Sequence, residues 1–538
     1  MTMVGTTRRR ARAAPARPRL GEVLVGADAP LGAVLPAGML GASRADPAER
    51  AAAGKAARAQ TPRRGQGVWR PPPDRADPVD ILERQSRARL AELVPIRYER
   101  MISSPFRFYR GAAAIMAADL AGTATSGIDV QLCGDAHLLN FRLLASPERH
   151  LVFDINDFDE THPGPWEWDV KRLAASLVIA GRAGGHRPAE RRRAVVAAIG
   201  AYRVWMRRFA AMNNLDVWYA HVDVDALTSG SGLPDGLPSG RSGRSGRSGA
   251  LPERPGDALD RQTRRRLETA AARARTRDRR RAYTKLTEVV DGTPRFVADP
   301  PLLVPLRDLL DPAERAALTG TLADVVERYG RTLPLERRAL LRQYRLVDVA
   351  RKVVGVGSVG TRCWVALLLG RDNGDPLLLQ LKEAQASVLA EHLPGIPPST
   401  HLNQGERVVL GQRLMQASSD IFLGWQRIDG IDGRRRDFYV RQLADWKGVP
   451  VAEMMSAGEA ALFGQLCGAT LARAHARSGD RVALAAYLGR SDTFETAIAT
   501  FAEAYADQNE RDHAALAAAA ARSGRVPASS DGAPTTGR

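Results

Sequence analysis

Cysteine is scarce in this chain. Its three residues, Cys133, Cys363 and Cys467, lie far apart in 538 positions and share no metal-like spacing. A disulfide framework is therefore not expected, and a reducing cytosol is the compartment that fits. No apolar run approaches the ~18 residues that would suggest a membrane span. The N-terminus is basic but has no apolar h-region, so no secretion signal is expected. The nine histidines form no ordered series of the kind a dimetal phosphatase would need. Acidic charge is also short, with 60 Asp and Glu against 78 Lys and Arg, a formal charge of +18. That surplus permits a polyanionic partner. Much of it sits in "TTRRRARAAPARPRL", "RSGRSGRSG" and "RQTRRRLETAAARARTRDRRRA". Arginine-rich solvated faces need no ligand, so nucleic acid is allowed but not favoured as the main partner.

What is present is enough apolar material, 44% of the chain, for a large core and two or three subdomains. Composition and periodicity divide the chain. Residues 1–76 are rich in Pro, Ala and Arg and read as a disordered basic segment. Residues 77–225 read as a helical lobe with short strands. "FRFYRGAAAIMAADLAG" is expected as one helix, with Phe108, Ala112, Met116 and Leu120 on one face. A low-complexity linker covers 226–259. Residues 260–345 hold a basic helix, a hairpin around Asp291-Gly292 and two further helices. Residues 346–450 read as a β lobe, 451–521 as helices and 522–538 as a disordered tail.

Two polar segments interrupt apolar strands in the first lobe. One is Cys133-Gly-Asp-Ala-His-Leu-Leu-Asn140, the other Val152-Phe-Asp-Ile-Asn-Asp-Phe-Asp159. Acids and an amide at the ends of buried strands are costly unless they bind something. Asp135 and Asn140 have the five-residue spacing of a kinase catalytic loop, in which the Asp meets the acceptor hydroxyl and the Asn holds a metal. Asp157 would be a second ligand of Mg²⁺, a hard ion that prefers oxygen. Asp154 and Asp159 flank it as further candidate ligands. His137 either hydrogen-bonds the loop or satisfies itself in the core. Asp169, at the start of an apolar helix, either caps that helix or anchors the catalytic loop from below. Arg107 and Arg110 either reach a phosphate or acidic substrate, or pair with the acid cluster.

A third segment supplies nucleotide-binding chemistry. Gly355, Gly357 and Gly360 match G-x-G-x-x-G, a weak signal alone. Here the glycines lie between β-rich runs, giving strand, Gly loop, strand, turn, strand, as in a kinase nucleotide lobe. Such glycines let backbone N–H groups approach phosphate. Lys382 stands inside the apolar run "LLLQLKEA" and needs a partner. It would meet the ATP phosphates, held by a helix Glu, for which Glu406 is the candidate. "FYVRQL", Phe438 to Leu443, would enter the hinge beside the adenine.

The segments "SPFRFYRG", "CGDAHLLNF", "FDINDFDETHPGPWEWDVKRLAAS", "VGVGSVGTR", "LQLKEA" and "LARAHARSGD" resemble the DUF2252 family of uncharacterised bacterial proteins. "GDAHLLN" and "NDFD" also resemble motifs of aminoglycoside and choline kinase-type phosphotransferases. That second resemblance implies that Asp135 is the catalytic Asp, Asn140 and Asp157 the metal residues, and Asp169 the later structural Asp. The motif order differs, since the acidic loops precede the Gly loop and Lys382. The expectation is an α+β, protein-kinase-like two-lobed fold with a circularly permuted motif order. The expected activity is ATP- and Mg²⁺-dependent phosphoryl transfer to a hydroxyl of a small molecule or protein. AMP transfer would use the same residues. A metal-dependent phosphoesterase and a non-catalytic or nucleic-acid-binding protein are the other readings.

Overall fold

The computed structural model describes residues 45–229, 261–313, 324–353, 355, 357, 359–393, 403–430, 433–446, 448 and 452–523. The fold is mixed α+β, with a helical body, one six-stranded antiparallel sheet and three two-stranded ribbons. The 230–259 part of the linker, the tail from 524, and positions 354, 356 and 358 of the glycine segment lie outside these residues. No helix among the described residues is long and apolar enough to cross a membrane.

Within the segment expected to be disordered, Pro47–Gln60 forms a helix, α1. Asp46 and Glu49 close a capping box around its first turn. Arg50 pairs with Asp480 at 2.8 Å. At Gly54 a Cβ would stand 2.1 Å from the Ala483 carbonyl oxygen, so only glycine lets the helix dock this closely. The helix is thus stabilised by residues more than 400 positions away, which composition could not register.

Helices α2 (Pro78–Ser86), α3 (Val94–Ile102), α4 (Pro105–Gly111) and α5 (Ala113–Ala121) follow. The single helix expected over the last two is broken at Ala112, which has left helical geometry (φ −109°, ψ 30°). The Gly111 carbonyl accepts from Arg97 at 3.3 Å, a use of the backbone that sequence periodicity cannot report. The apolar helix α6 (Glu167–Ala183) and the long α7 (Pro188–Ala211) form the centre of the body. Trp166 stacks on Tyr202 there, with ring centroids 5.6 Å apart.

Strands β1 (Asp129–Leu132) and β4 (His162–Pro165) pair, as do β2 (Phe141–Ala145) and β3 (Leu151–Ile155). The two acidic segments connect these ribbons and so become neighbours. The Asn156 N–H donates to the Asn140 carbonyl at 2.7 Å. Strands β5 (Thr287–Val290) and β6 (Thr293–Phe296) form the expected hairpin, with Asp291 and Gly292 both at positive φ.

The large sheet adds β7 (Leu303–Pro305), β8 (Arg345–Lys352), β9 (Cys363–Leu369), β10 (Pro376–Ala384), β11 (Gly424–Asp429) and β12 (Arg435–Gln442), in the order β11-β12-β10-β9-β8-β7. Strand β7 comes from before the boundary expected at 346. Side chains alternate across β10. Leu377 and Leu379 join one apolar cluster, whereas Gln380 and Lys382 face the cavity described below. Helix α8 (Gln404–Met415) packs on β11 and β12. Helices α9 (Ala457–Ser478), α10 (Arg481–Leu488) and α11 (Thr493–Arg522) complete the body, with α9 lying along α7.

Candidate functional site

The loop from Cys133 to Asn140 is held by one face of α6. Asp169 accepts the Cys133 N–H at 2.8 Å and the Gly134 N–H at 3.0 Å. Three residues on, Arg172 Nε donates to Asp135 Oδ1 at 2.8 Å. Four further on, Ser176 Oγ accepts the Leu138 N–H at 3.1 Å. Positions i, i+3 and i+7 of one helix thus fix three successive parts of the loop. Asp169 is itself steadied by His475 Nε2 at 3.3 Å, and the His475 Nδ1 meets the Tyr202 hydroxyl at 2.9 Å. Of the two roles open to Asp169, the structure gives it the loop anchor. Gly134 has φ +83°, and a Cβ there would lie 2.1 Å from the Glu160 carbonyl oxygen. Glycine therefore lets the two acidic segments press together.

Those segments and β10 enclose a cavity of about 250 Å³. Asp135, His137, Asn140, Asp157, Asp159, Gly355, Gly357 and Lys382 all line it. Lys382 Nζ lies 2.6 Å from Asp159 Oδ2 and 3.8 Å from Asp157 Oδ1. The Tyr439 hydroxyl donates to Asp159 Oδ1 at 2.6 Å. Burial alone would raise the Asp159 carboxyl, but Lys382 and Tyr439 hold it below the usual carboxylate range. Burial alone would lower Lys382, but Asp157 and Asp159 keep it charged.

Burial pushes Asp135 up to about 6, against the pull of Arg172. It also pushes Glu160 up to about 7. Burial, reinforced by Arg110, Arg172 and Arg142, holds His137 well below its ordinary value. The ring is neutral, and its Nδ1 accepts the Leu139 N–H at 3.2 Å. The remaining proton then sits on Nε2, 3.7 Å from Asp135 Oδ2. The Asn140 Nδ2 donates to the Asp135 carbonyl at 2.6 Å, which leaves the amide oxygen as the unspent end.

Three expected site residues are placed elsewhere. Asp154 points into the protein, where it pairs with Arg473 of α9 at 2.5 Å and accepts the Ala417 N–H at 2.8 Å. Its carboxylate is spent on these partners, and it does not line the cavity. Glu406 is not a partner of Lys382. Its N–H caps α8 on Asn403 Oδ1 at 2.7 Å, and the next residue, Arg407, is the one that reaches the site. Arg407 donates to the Asp159 and Gln385 carbonyls at 2.8 Å each, tying the acidic segment to the end of β10. Gly360, at φ +88°, lies over Arg89 rather than at the cavity, and its carbonyl accepts the Leu90 N–H at 2.8 Å. Arg107 is exposed, whereas Arg110 lines the cavity.

Arg172, Arg407 and Arg441 were not anticipated. Arg441 of β12 lines the cavity and donates to the Asn156 carbonyl at 2.8 Å. Only Arg172 had a legible signal, since Asp169, Arg172 and Ser176 are polar residues at helical spacing in an apolar run. No group of three or more His, Cys, Asp or Glu poised to hold a metal occurs among the described residues.

The family model described as an uncharacterized protein conserved in bacteria, DUF2252, matches residues 89–233 and 249–519. No curated protein matched the chain. No solved structure matched it either.

Proposed function

The chain belongs to the DUF2252 family, and we propose that it is a kinase-like phosphotransferase that uses ATP with Mg²⁺ to phosphorylate a hydroxyl acceptor. The observation that carries this reading is the pairing of Lys382 with Asp159 and Asp157. A separation of 223 residues lies between Lys382 and Asp159, yet their side chains touch in one cavity with the two glycines, Asp135 and Asn140. A phosphoesterase would have no use for that lysine and glycine segment.

In this reading Lys382 neutralises phosphate charge, and Asp159 takes the positioning role expected of Glu406. Backbone N–H groups of Gly355 and Gly357, which line the cavity, would be available to the phosphates. Asn140 and Asp157 would hold Mg²⁺, which would neutralise charge on the phosphates. The donors fit, because Mg²⁺ takes one or two carboxylates and completes its shell with water and phosphate oxygens. A larger acidic cluster is not required. Asp135 orients the acceptor hydroxyl and accepts its proton. A carboxyl near 6 is ionised at neutral pH and still basic enough for that transfer. Arg172 fixes one of its oxygens, and the neutral His137 stands beside the other.

Titration calorimetry with ATP, with and without Mg²⁺, tests the reading on the wild type, Asp157→Asn and Lys382→Met, each checked for folding by circular dichroism. The expected result is Mg²⁺-dependent binding weakened by about tenfold or more in both variants. Folded wild-type protein that binds no ATP would remove the proposal. Turnover with α- and γ-labelled ATP then separates phosphoryl from adenylyl transfer.

A further inference from the structure

We propose that the acceptor side of the cavity is built for an anion, with Arg110 and Arg142 as its binding residues, so that the acceptor is a hydroxyl compound carrying a phosphate or carboxylate. The word acceptor rests on the phosphotransfer reading. The anion site rests on observations of its own.

The first is a mismatch of charge partners. Asp159 is taken by Lys382, and Asp135 is taken by Arg172, which stands behind the loop. Arg110 and Arg142 line the same cavity with Asp135 and Asp157, yet neither forms an ion pair with an acid among the described residues. Arg142 donates through Nε to the Leu139 carbonyl at 2.8 Å, a neutral partner. The Arg110 Nε is buried with no hydrogen-bond partner among the described residues. A partly buried guanidinium that no acid pairs directly is costly, although Asp157 acts on Arg142 and Glu453 and Asp135 act on Arg110 from farther off.

The second observation is placement. Arg110 ends α4 and Arg142 lies on β2, two residues beyond Asn140, so both belong to the elements that surround Asp135. The charges that face a nucleotide, Lys382 and Arg441, come from the large sheet. Both side chains line the cavity that Asp135 lines. Two like charges held together beside a proton-accepting carboxylate form a socket for an anion bearing a hydroxyl. Guanidinium groups suit phosphate and carboxylate through paired N–H donors. The same charges would repel a cationic acceptor such as choline or an aminoglycoside, so this site departs from the kinases that its motifs resemble.

Inorganic phosphate is the probe. It is titrated into the full chain with and without a saturating non-hydrolysable ATP analogue and Mg²⁺, using the wild type, Arg110→Ala, Arg110→Met and Arg142→Ala. Because Arg110 forms no ion pair among the described residues and its Nε is unpartnered, its variants are expected to melt at about the wild-type temperature. The expected result is that phosphate binds with the analogue present and loses about tenfold or more in affinity in the variants, while analogue affinity stays within about threefold. Phosphate that competes with the analogue, or that binds the variants as it binds the wild type, would overturn the anion site. If the analogue does not bind but phosphate still depends on Arg110, the phosphotransfer reading falls and the anion site stands. An acceptor panel of glycerol 3-phosphate, glycerate, glycerol and choline separates the sources. Turnover with either of the first two supports the proposal and tells phosphate from carboxylate, and preference for glycerol or choline refutes it.

Discussion

Replacing Asp154 by asparagine separates a structural acid from a metal ligand. Asp154 and Arg473 are both buried, with side-chain exposures of 1% and 3%. Asp154 Oδ1 accepts from Arg473 at 2.5 Å and from the Ile155 N–H at 2.8 Å, and Oδ2 accepts the Ala417 N–H at 2.8 Å. Asparagine keeps one acceptor oxygen, turns an NH₂ toward an existing donor and leaves the Arg473 charge uncompensated. Arg473 Nη1 has no partner to begin with among the described residues. Breaking a buried pair in this way costs about 3–5 kcal/mol. Unfolding entropy is roughly 2.1 cal/mol/K per residue, so in a chain this long that cost lowers Tm by only a few degrees. The urea midpoint is a second assay of the same loss. We expect it to fall clearly while Mg²⁺-dependent ATP affinity of the folded variant stays at the wild-type value. An unchanged midpoint together with a loss of about tenfold in that affinity would refute the reasoning and return Asp154 to the metal.

Asp169→Asn replaces one of two carboxylate oxygens that each accept a backbone N–H, at a cost of roughly 1–3 kcal/mol. The expected outcome is reduced turnover with nucleotide affinity preserved, and a parallel loss of both would show that Asp169 does not act through the 133–140 loop. Glu160→Gln tests the buried acid. In the fold it keeps its proton up to about pH 7, whereas the unfolded chain releases it near the ordinary value of about 4.3. The unfolded state thus loses the proton first, and stability falls as pH rises between those values. The variant should melt above the wild type at about pH 8 and level with it at about pH 4, and a difference independent of pH would disprove the shift.

How far the site was legible depends on which residues act locally. Asp135 and Asn140 share one loop, and their spacing alone relates them. Asp157 follows a strand that its apolar run makes plain. Asp154 misled because an acid in an apolar strand signals only that a partner exists. Its partner, Arg473, is 319 positions away, and sequence offers no means to choose between a metal and an arginine. Glu406 misled in the opposite way. A helix carrying Glu406 and Arg407 was expected where one was found, but its rotation about its axis, set by packing on β11 and β12, turned Arg407 to the acidic segment. The helix α1 escaped notice because basic, Ala-rich composition outweighed the Asp46–Glu49 capping signal.

The sequence by itself determined the local chemistry. It marked the acidic loops, the strand–glycine–strand order around Gly355 and the apolar helix that follows Asp169, because capping, alternation and helical periodicity are encoded in near neighbours. Tertiary structure decided which charges meet. Lys382 found Asp159 rather than Glu406, and Arg172 took Asp135. Arg110 and Arg142 were left lining the cavity without a directly paired acid. Those outcomes depend on the side to which each strand and helix turns when separate segments pack, and no spacing within one segment records that orientation.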